Sequence, residues 1–151
     1  MRVWYFLAAF LACATAAEAH VTIQPRESKA GVAETYSMRV PTEGKVTTVS
    51  VELEIPEGVT IVSVEASTAT RYETKRVGDR ITSITWTTAI KPGDSQQLTF
   101  TATNPTQASE ITWKAHQRYE DGSSTDWIGP AGDSRPAPRT RLSAQSFQGG
   151  V

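Results

Sequence analysis

The chain has a single cysteine, Cys13, among 151 residues. It lies in an apolar N-terminal stretch, so whatever domain follows has no disulfide and no thiolate, and a metal held there must be held by nitrogen and oxygen donors. Histidine is nearly as scarce: His20 and His116 are the only two, too few for a multi-histidine zinc centre. An excess of one charge is also missing, because 15 Lys+Arg stand against 16 Asp+Glu for a formal net charge of −1. Nucleic acid or an anionic membrane would require a basic patch, so neither is an expected partner. No glycine-rich phosphate loop and no supported serine–histidine–acid arrangement is present, and no catalytic residue is assigned. Pro105 blocks the middle of Asn104-Pro105-Thr106 as a glycosylation acceptor.

What is present begins with a leader. Met1-Arg2 gives a positive start, Val3 to Cys13 is almost continuously apolar, and small residues run on to Ala17-Glu18-Ala19, as in a secretory signal. The apolar run is too short to span a bilayer. Cleavage after Ala19 makes residues 1–19 a signal peptide and His20 the first mature residue. Ala12-Cys13-Ala14 and Ala14-Thr15-Ala16 are competing sites. Lipoprotein processing at Cys13 is disfavoured because Phe10 stands where a leucine is usual. The leader removes one acidic and one basic residue, so the mature balance is unchanged. The expectation is an exported, soluble protein without a membrane span, periplasmic or extracellular.

Past the leader, apolar residues recur mostly at period two, which predicts an all-β domain. Glu34 to Val40 alternates with Tyr36, Met38 and Val40 on one face, and Thr48 to Ile55 places Val49, Val51, Leu53 and Ile55 inward. Val59 to Val64 slips parity once, the mark of a bulge. Gly78-Asp79 joins Tyr72–Val77 to Arg80–Trp86 as a hairpin. Gln97 to Thr103 puts Leu98, Phe100 and Ala102 inward, and Ile111 to Tyr119 does so with Ile111, Trp113, Ala115, Gln117 and Tyr119. About seven short strands predict a two-sheet Greek-key sandwich, cupredoxin-like or immunoglobulin-like, over residues 20–130. Residues 131–151 shift to Pro, Gly, Ser, Arg and Gln and are expected to form an extended tail.

Three residues invite chemistry. A mature N-terminal His20 offers an α-amine and a ring Nδ1 that chelate one ion, a geometry suited to copper(II). Glu34 shares the inward face of its strand and needs a partner, either a structural one or a metal. Trp127 packs in the core or at its rim, or covers an open coordination face with its indole ring. Parity puts His116 outside, away from any partnership with His20.

His20-Val21-Thr22-Ile23-Gln24-Pro25, Gly31, Glu34, Arg39-Val40-Pro41, Ile84-Thr85-Trp86 and Asn104-Pro105 occur in an order similar to that of the YcnI-like bacterial copper-binding proteins. Gln117-Arg118-Tyr119-Glu120-Asp121-Gly122, Trp127-Ile128-Gly129-Pro130 and Pro136-Ala137-Pro138 extend the resemblance over nearly the whole mature chain. It implies a cupredoxin-like sandwich that binds one copper(II) through a single-histidine brace: the amine and ring nitrogen of His20, the carboxylate of Glu34, and Trp127 close to the metal. It further implies a copper carrier or chaperone serving import or cuproenzyme assembly, with a membrane copper transporter or another chaperone as partner. The C-terminal membrane helix frequent in the family has no counterpart here, and Tyr72 stands where a glycine–tryptophan pair is common. Two alternatives remain: a copper oxidase of the polysaccharide-monooxygenase type, which needs His116 beside His20, and a metal-free binding module.

Overall fold

The structure, a computed structural model, describes residues 20–145. The expected leader at 1–19 and the last part of the expected tail, 146–151, lie outside the described residues. Those described form β1 (Thr22–Gln24), β2 (Glu27–Lys29), β3 (Ala33–Pro41), β4 (Thr48–Glu54), β5 (Thr60–Val64) and β6 (Arg71–Val77). β7 (Arg80–Ile90), β8 (Ser95–Thr103), β9 (Glu110–Thr112), β10 (Lys114–Tyr119), β11 (Ser124–Trp127) and β12 (Arg139–Ser143) follow. No α-helix occurs among them. Two antiparallel sheets, in the orders β1-β3-β8-β5 and β11-β10-β4-β7-β6, form a sandwich, and a small third sheet, β2-β12-β9, closes one side.

The alternation sets the core. Tyr36, Met38 and Val40 of β3 share the inward face of their sheet with Leu98, Phe100 and Ala102 of β8, and all are buried. From the other sheet come Val51, Leu53, Ile84 and Trp86, which are inaccessible to solvent. Tyr36 and Phe100 lie 5.0 and 5.5 Å, ring centre to ring centre, from Trp113, and such edge-to-face pairs add about 0.5–1.5 kcal/mol each beyond their buried area. The parity slip after Val59 is a register shift between Ile61 and Ser63. A second shift, between Thr48 and Ser50, turns Val49 partly outward and gives its inward place to Thr48.

Two further expectations are corrected. The run Ile111–Tyr119 is two strands, because the Trp113 amide donates to Pro138 O at 2.8 Å and the chain changes sheets there. Residues 131–145, the described part of the expected extended tail, are packed on the domain: β12 runs parallel to β2 and antiparallel to β9, and Ala137, Thr140 and Leu142 are buried. The Thr140 hydroxyl accepts from Trp113 Nε1 at 3.1 Å and donates to Pro25 O at 3.0 Å. With only five residues in the strand, its apolar period was too short to detect.

His116 is on the outer face of its sheet, as parity requires. Its Nδ1 meets Asp126 Oδ1 at 2.7 Å and its Nε2 meets Glu54 Oε2 at 2.8 Å. Partial burial works to lower its pKa, but the hydrogen bonds and charges of Asp126 and Glu54 together prevail and raise it above the ordinary histidine value. A raised folded-state pKa stabilises the fold in full below the unfolded value, near 6.5, and the gain is lost as pH rises through the folded value. The stability advantage of the wild type over His116→Gln should therefore shrink from pH 5.5 to pH 8 in urea titrations. Leu142→Ala should cost about 2–3 kcal/mol in the same assay, whereas a free tail would cost nothing.

Candidate metal centre

β1 pairs with β3 in the register Thr22↔Arg39, Ile23↔Met38 and Gln24↔Ser37. Val21 and Ile23 are buried and anchor the strand, which leaves His20 exposed at the end where β3 finishes at Pro41. There the imidazole meets Trp127 edge-on, with ring centres 5.7 Å apart and planes at 60°. His20 and Trp127, set in different sheets, are thus brought together.

Trp127 is held from several sides. It ends β11 opposite Ala115, is 7 % exposed, and donates its indole N–H to Gln117 Oε1 at 3.1 Å. The loop that follows folds tightly back: the Gly129 amide donates to Arg135 O at 3.0 Å, and Ala137 N donates to Gly129 O at 2.9 Å. A side chain at Gly129 would bring Cβ within 2.8 Å of Asp133 Cγ and 2.9 Å of Arg135 O, so only glycine fits without displacement.

The indole also walls a cleft of about 330 Å³ with Pro41, Glu43, Lys45, Gln117 and Tyr119. His20 lines a neighbouring depression with Ile23, Arg26, Pro138 and Arg139.

Glu34 is not part of this arrangement. It is at the opposite end of β3, paired with Ala102, and the strand from Glu34 to Pro41 spans roughly 23 Å at about 3.3 Å per residue. Its carboxylate accepts from the Ser28 hydroxyl at 2.8 Å. Ser28 Oγ in turn accepts from Asn104 Nδ2 at 3.0 Å, and Asn104 Oδ1 accepts from Tyr36 OH at 2.6 Å. Burial, aided by the nearby Glu34 charge, pushes the Tyr36 phenol up to about 12, so it stays a donor. Glu34 therefore serves a structural network, the blander of the two roles its inward parity allowed.

A carboxylate that does lie beyond the Pro41 end of β3, lining the cleft walled by Trp127, is Glu43, which the sequence pattern did not single out. It follows Pro41 in an irregular loop, where periodicity carries no information. Strand direction was the available signal: an antiparallel return places the residue before the first strand opposite the end of its partner, not the start. His116, on the outer face, does not meet His20. Among the described residues no three His, Cys, Asp or Glu side chains converge on one point, so side chains alone make no metal cage. An ion here would depend on the His20 main-chain nitrogen.

Residues 20–142 match the family described as "Domain of unknown function (DUF1775)". The chain is 37% identical over 131 residues to the copper-binding protein CutI of Bacillus subtilis (strain 168), covering 85% of this chain and 64% of that one. It therefore spans less than two thirds of that relative's length. An uncharacterised Nocardia farcinica protein with an immunoglobulin-like fold superposes with a TM-score of 0.74 at 24% identity, over 82% of this chain and 98% of that one. A cohesin module from a Clostridium perfringens family 33 glycoside hydrolase superposes with a TM-score of 0.56 at 14% identity, over 83% and 97%. These two likenesses bear on the fold alone, an immunoglobulin-like sandwich. The domain match and the relative bear out the resemblance seen in the motifs: the chain belongs to the DUF1775 family, that of the YcnI-like proteins.

Proposed function

We propose that this chain is an exported copper(II) carrier that binds one ion at its mature N-terminus. The observation that carries the reading is His20, exposed at the end of an anchored strand with its ring against Trp127. The copper-binding name of the Bacillus subtilis relative supports the choice of metal. Cleavage after Ala19 would free the His20 amine, which with Nδ1 closes a chelate ring on copper(II). Glu43 is the carboxylate proposed to complete the set, in place of Glu34.

The proposed donors are two nitrogens and one oxygen. Copper(I) prefers sulfur, so reduction would weaken the hold, which suits delivery better than storage. The α-amine titrates near 7.7–8.0 and must lose its proton to bind, so affinity should fall as pH falls below that range. Trp127 would shield one side of the ion from water, and the recipient would be a membrane copper transporter or another chaperone. The two-histidine oxidase reading has no support in the geometry, because both ring nitrogens of His116 are engaged by carboxylates on the far face of its sheet.

The test is copper(II) titration followed by EPR on protein beginning at His20, beside a form with one glycine ahead of it. One tight equivalent with nitrogen couplings, lost in the extended form, is expected. Equal weak binding by both forms would overturn the chelate. The carboxylates should separate as well: Glu43→Gln should raise Kd at least about tenfold, a loss typical even for residues that only support a ligand. Glu34→Gln should leave Kd unchanged and lower the melting temperature.

A further inference from the structure

Gln117 is fully buried in the core behind the candidate metal centre, and a buried amide must spend all its hydrogen-bonding capacity on specific partners. Its Oε1 accepts from Trp127 Nε1 at 3.1 Å, and its Nε2 donates to Pro41 O at 2.9 Å and to Thr48 Oγ1 at 2.7 Å. The orientation of the amide is fixed by these partners, because the indole nitrogen only donates and the Pro41 carbonyl only accepts.

The string continues from there. Thr48 Oγ1 receives from Gln117 and shares a second hydrogen bond with Thr42 Oγ1, 2.6 Å away, in which either hydroxyl can donate. Thr42 precedes Glu43 and is tied on its other side to the β7–β8 turn, its amide donating to Asp94 O at 2.9 Å and its carbonyl accepting from Gly93 N at 2.8 Å. One buried amide thus connects the indole on β11 to the end of β3 and the loop that carries Glu43, the two walls of the same cleft.

We infer that Gln117 is a positioning residue for the metal centre: it locks the Trp127 indole against His20 and holds the Pro41–Glu43 wall at a fixed distance from it. The inference deepens the copper reading and rests on it for the metal. Its geometric half stands without copper. A purely structural amide would affect stability alone. A positioning amide also governs the indole and, through it, the affinity.

The experiment is a double-mutant cycle of Gln117→Met and Trp127→Phe in protein beginning at His20. Melting temperature and copper(II) Kd are measured for each form, and hydrogen exchange of the Trp127 indole N–H in the metal-free forms that keep Trp127. Gln117→Met should speed indole exchange about a hundredfold while the fold persists, and should weaken copper(II) binding about tenfold, the usual size for a residue supporting a ligand. In the Trp127→Phe background the same change should add less than about threefold to Kd. Should Gln117→Met fail to fold, Thr48→Val breaks one link of the same chain, and a loss of affinity in the still-folded protein, beside a lowered melting temperature, is expected.

Unchanged indole exchange and unchanged affinity beside a lowered melting temperature would overturn the inference. So would fully additive effects on Kd. If no form binds copper tightly, the carrier reading fails, and faster indole exchange on Gln117 substitution would still establish the positioning of the ring.

Discussion

The antiparallel register of β1 on β3 is the constraint from which the site follows. Because Ile23 lies opposite Met38 and both are buried, a slip of one residue would turn Ile23 to solvent and Thr22 into the core. The register is therefore held by apolar burial rather than by the few hydrogen bonds of a three-residue strand. It alone decides which end of the sandwich His20 occupies. From it come the meeting with Trp127, the neighbourhood of Glu43 and the separation from Glu34.

The second determinant is polar. Beside the aromatic core, the fold keeps two hydrogen-bonded strings, one running from buried Tyr36 through Asn104 to the half-buried Ser28 and Glu34, the other, buried throughout, from Trp127 through Gln117 to Thr48 and Thr42. They sit at opposite ends of β3. Buried polar groups of this kind contribute little net stability when paired and cost much when broken. What they fix is geometry, at positions where apolar contacts alone would let side chains settle in several ways.

Much of this was legible in the sequence because the period of a strand is short and its consequence is burial. Tyr36, Met38, Val40, Leu98, Phe100, Ala102 and Trp113 all sit where alternation put them. The hairpin at Gly78-Asp79 and the bulge after Val59 also follow the pattern. The failures share a cause. β1, β2, β9, β11 and β12 span three to five residues each, too few to show a period, and β12 lies in a Pro-, Gly- and Ser-rich segment whose composition reads as a loop. Glu34 was misjudged because inward parity states the face a residue occupies and not the end of the sheet. Glu43 escaped notice because a loop residue has no parity at all. Pairing partners are a tertiary property, and only the direction of the strands carried a hint of them.

The Thr140 hydroxyl, placed between Trp113 and Pro25, bridges a sequence separation of 115 residues on its Pro25 side. Parallel pairing of β12 with β2 does the same with backbone. Closing a loop of this length costs more than closing a local one, although the cost grows only slowly with length. The two ends of the described chain are thereby fastened beside the sandwich: Thr140 and β12 hold the Pro25 turn and β2, while β1 keeps its own pairing with β3. Loss of β12 would free the turn that follows β1 and leave the strand that carries His20 paired.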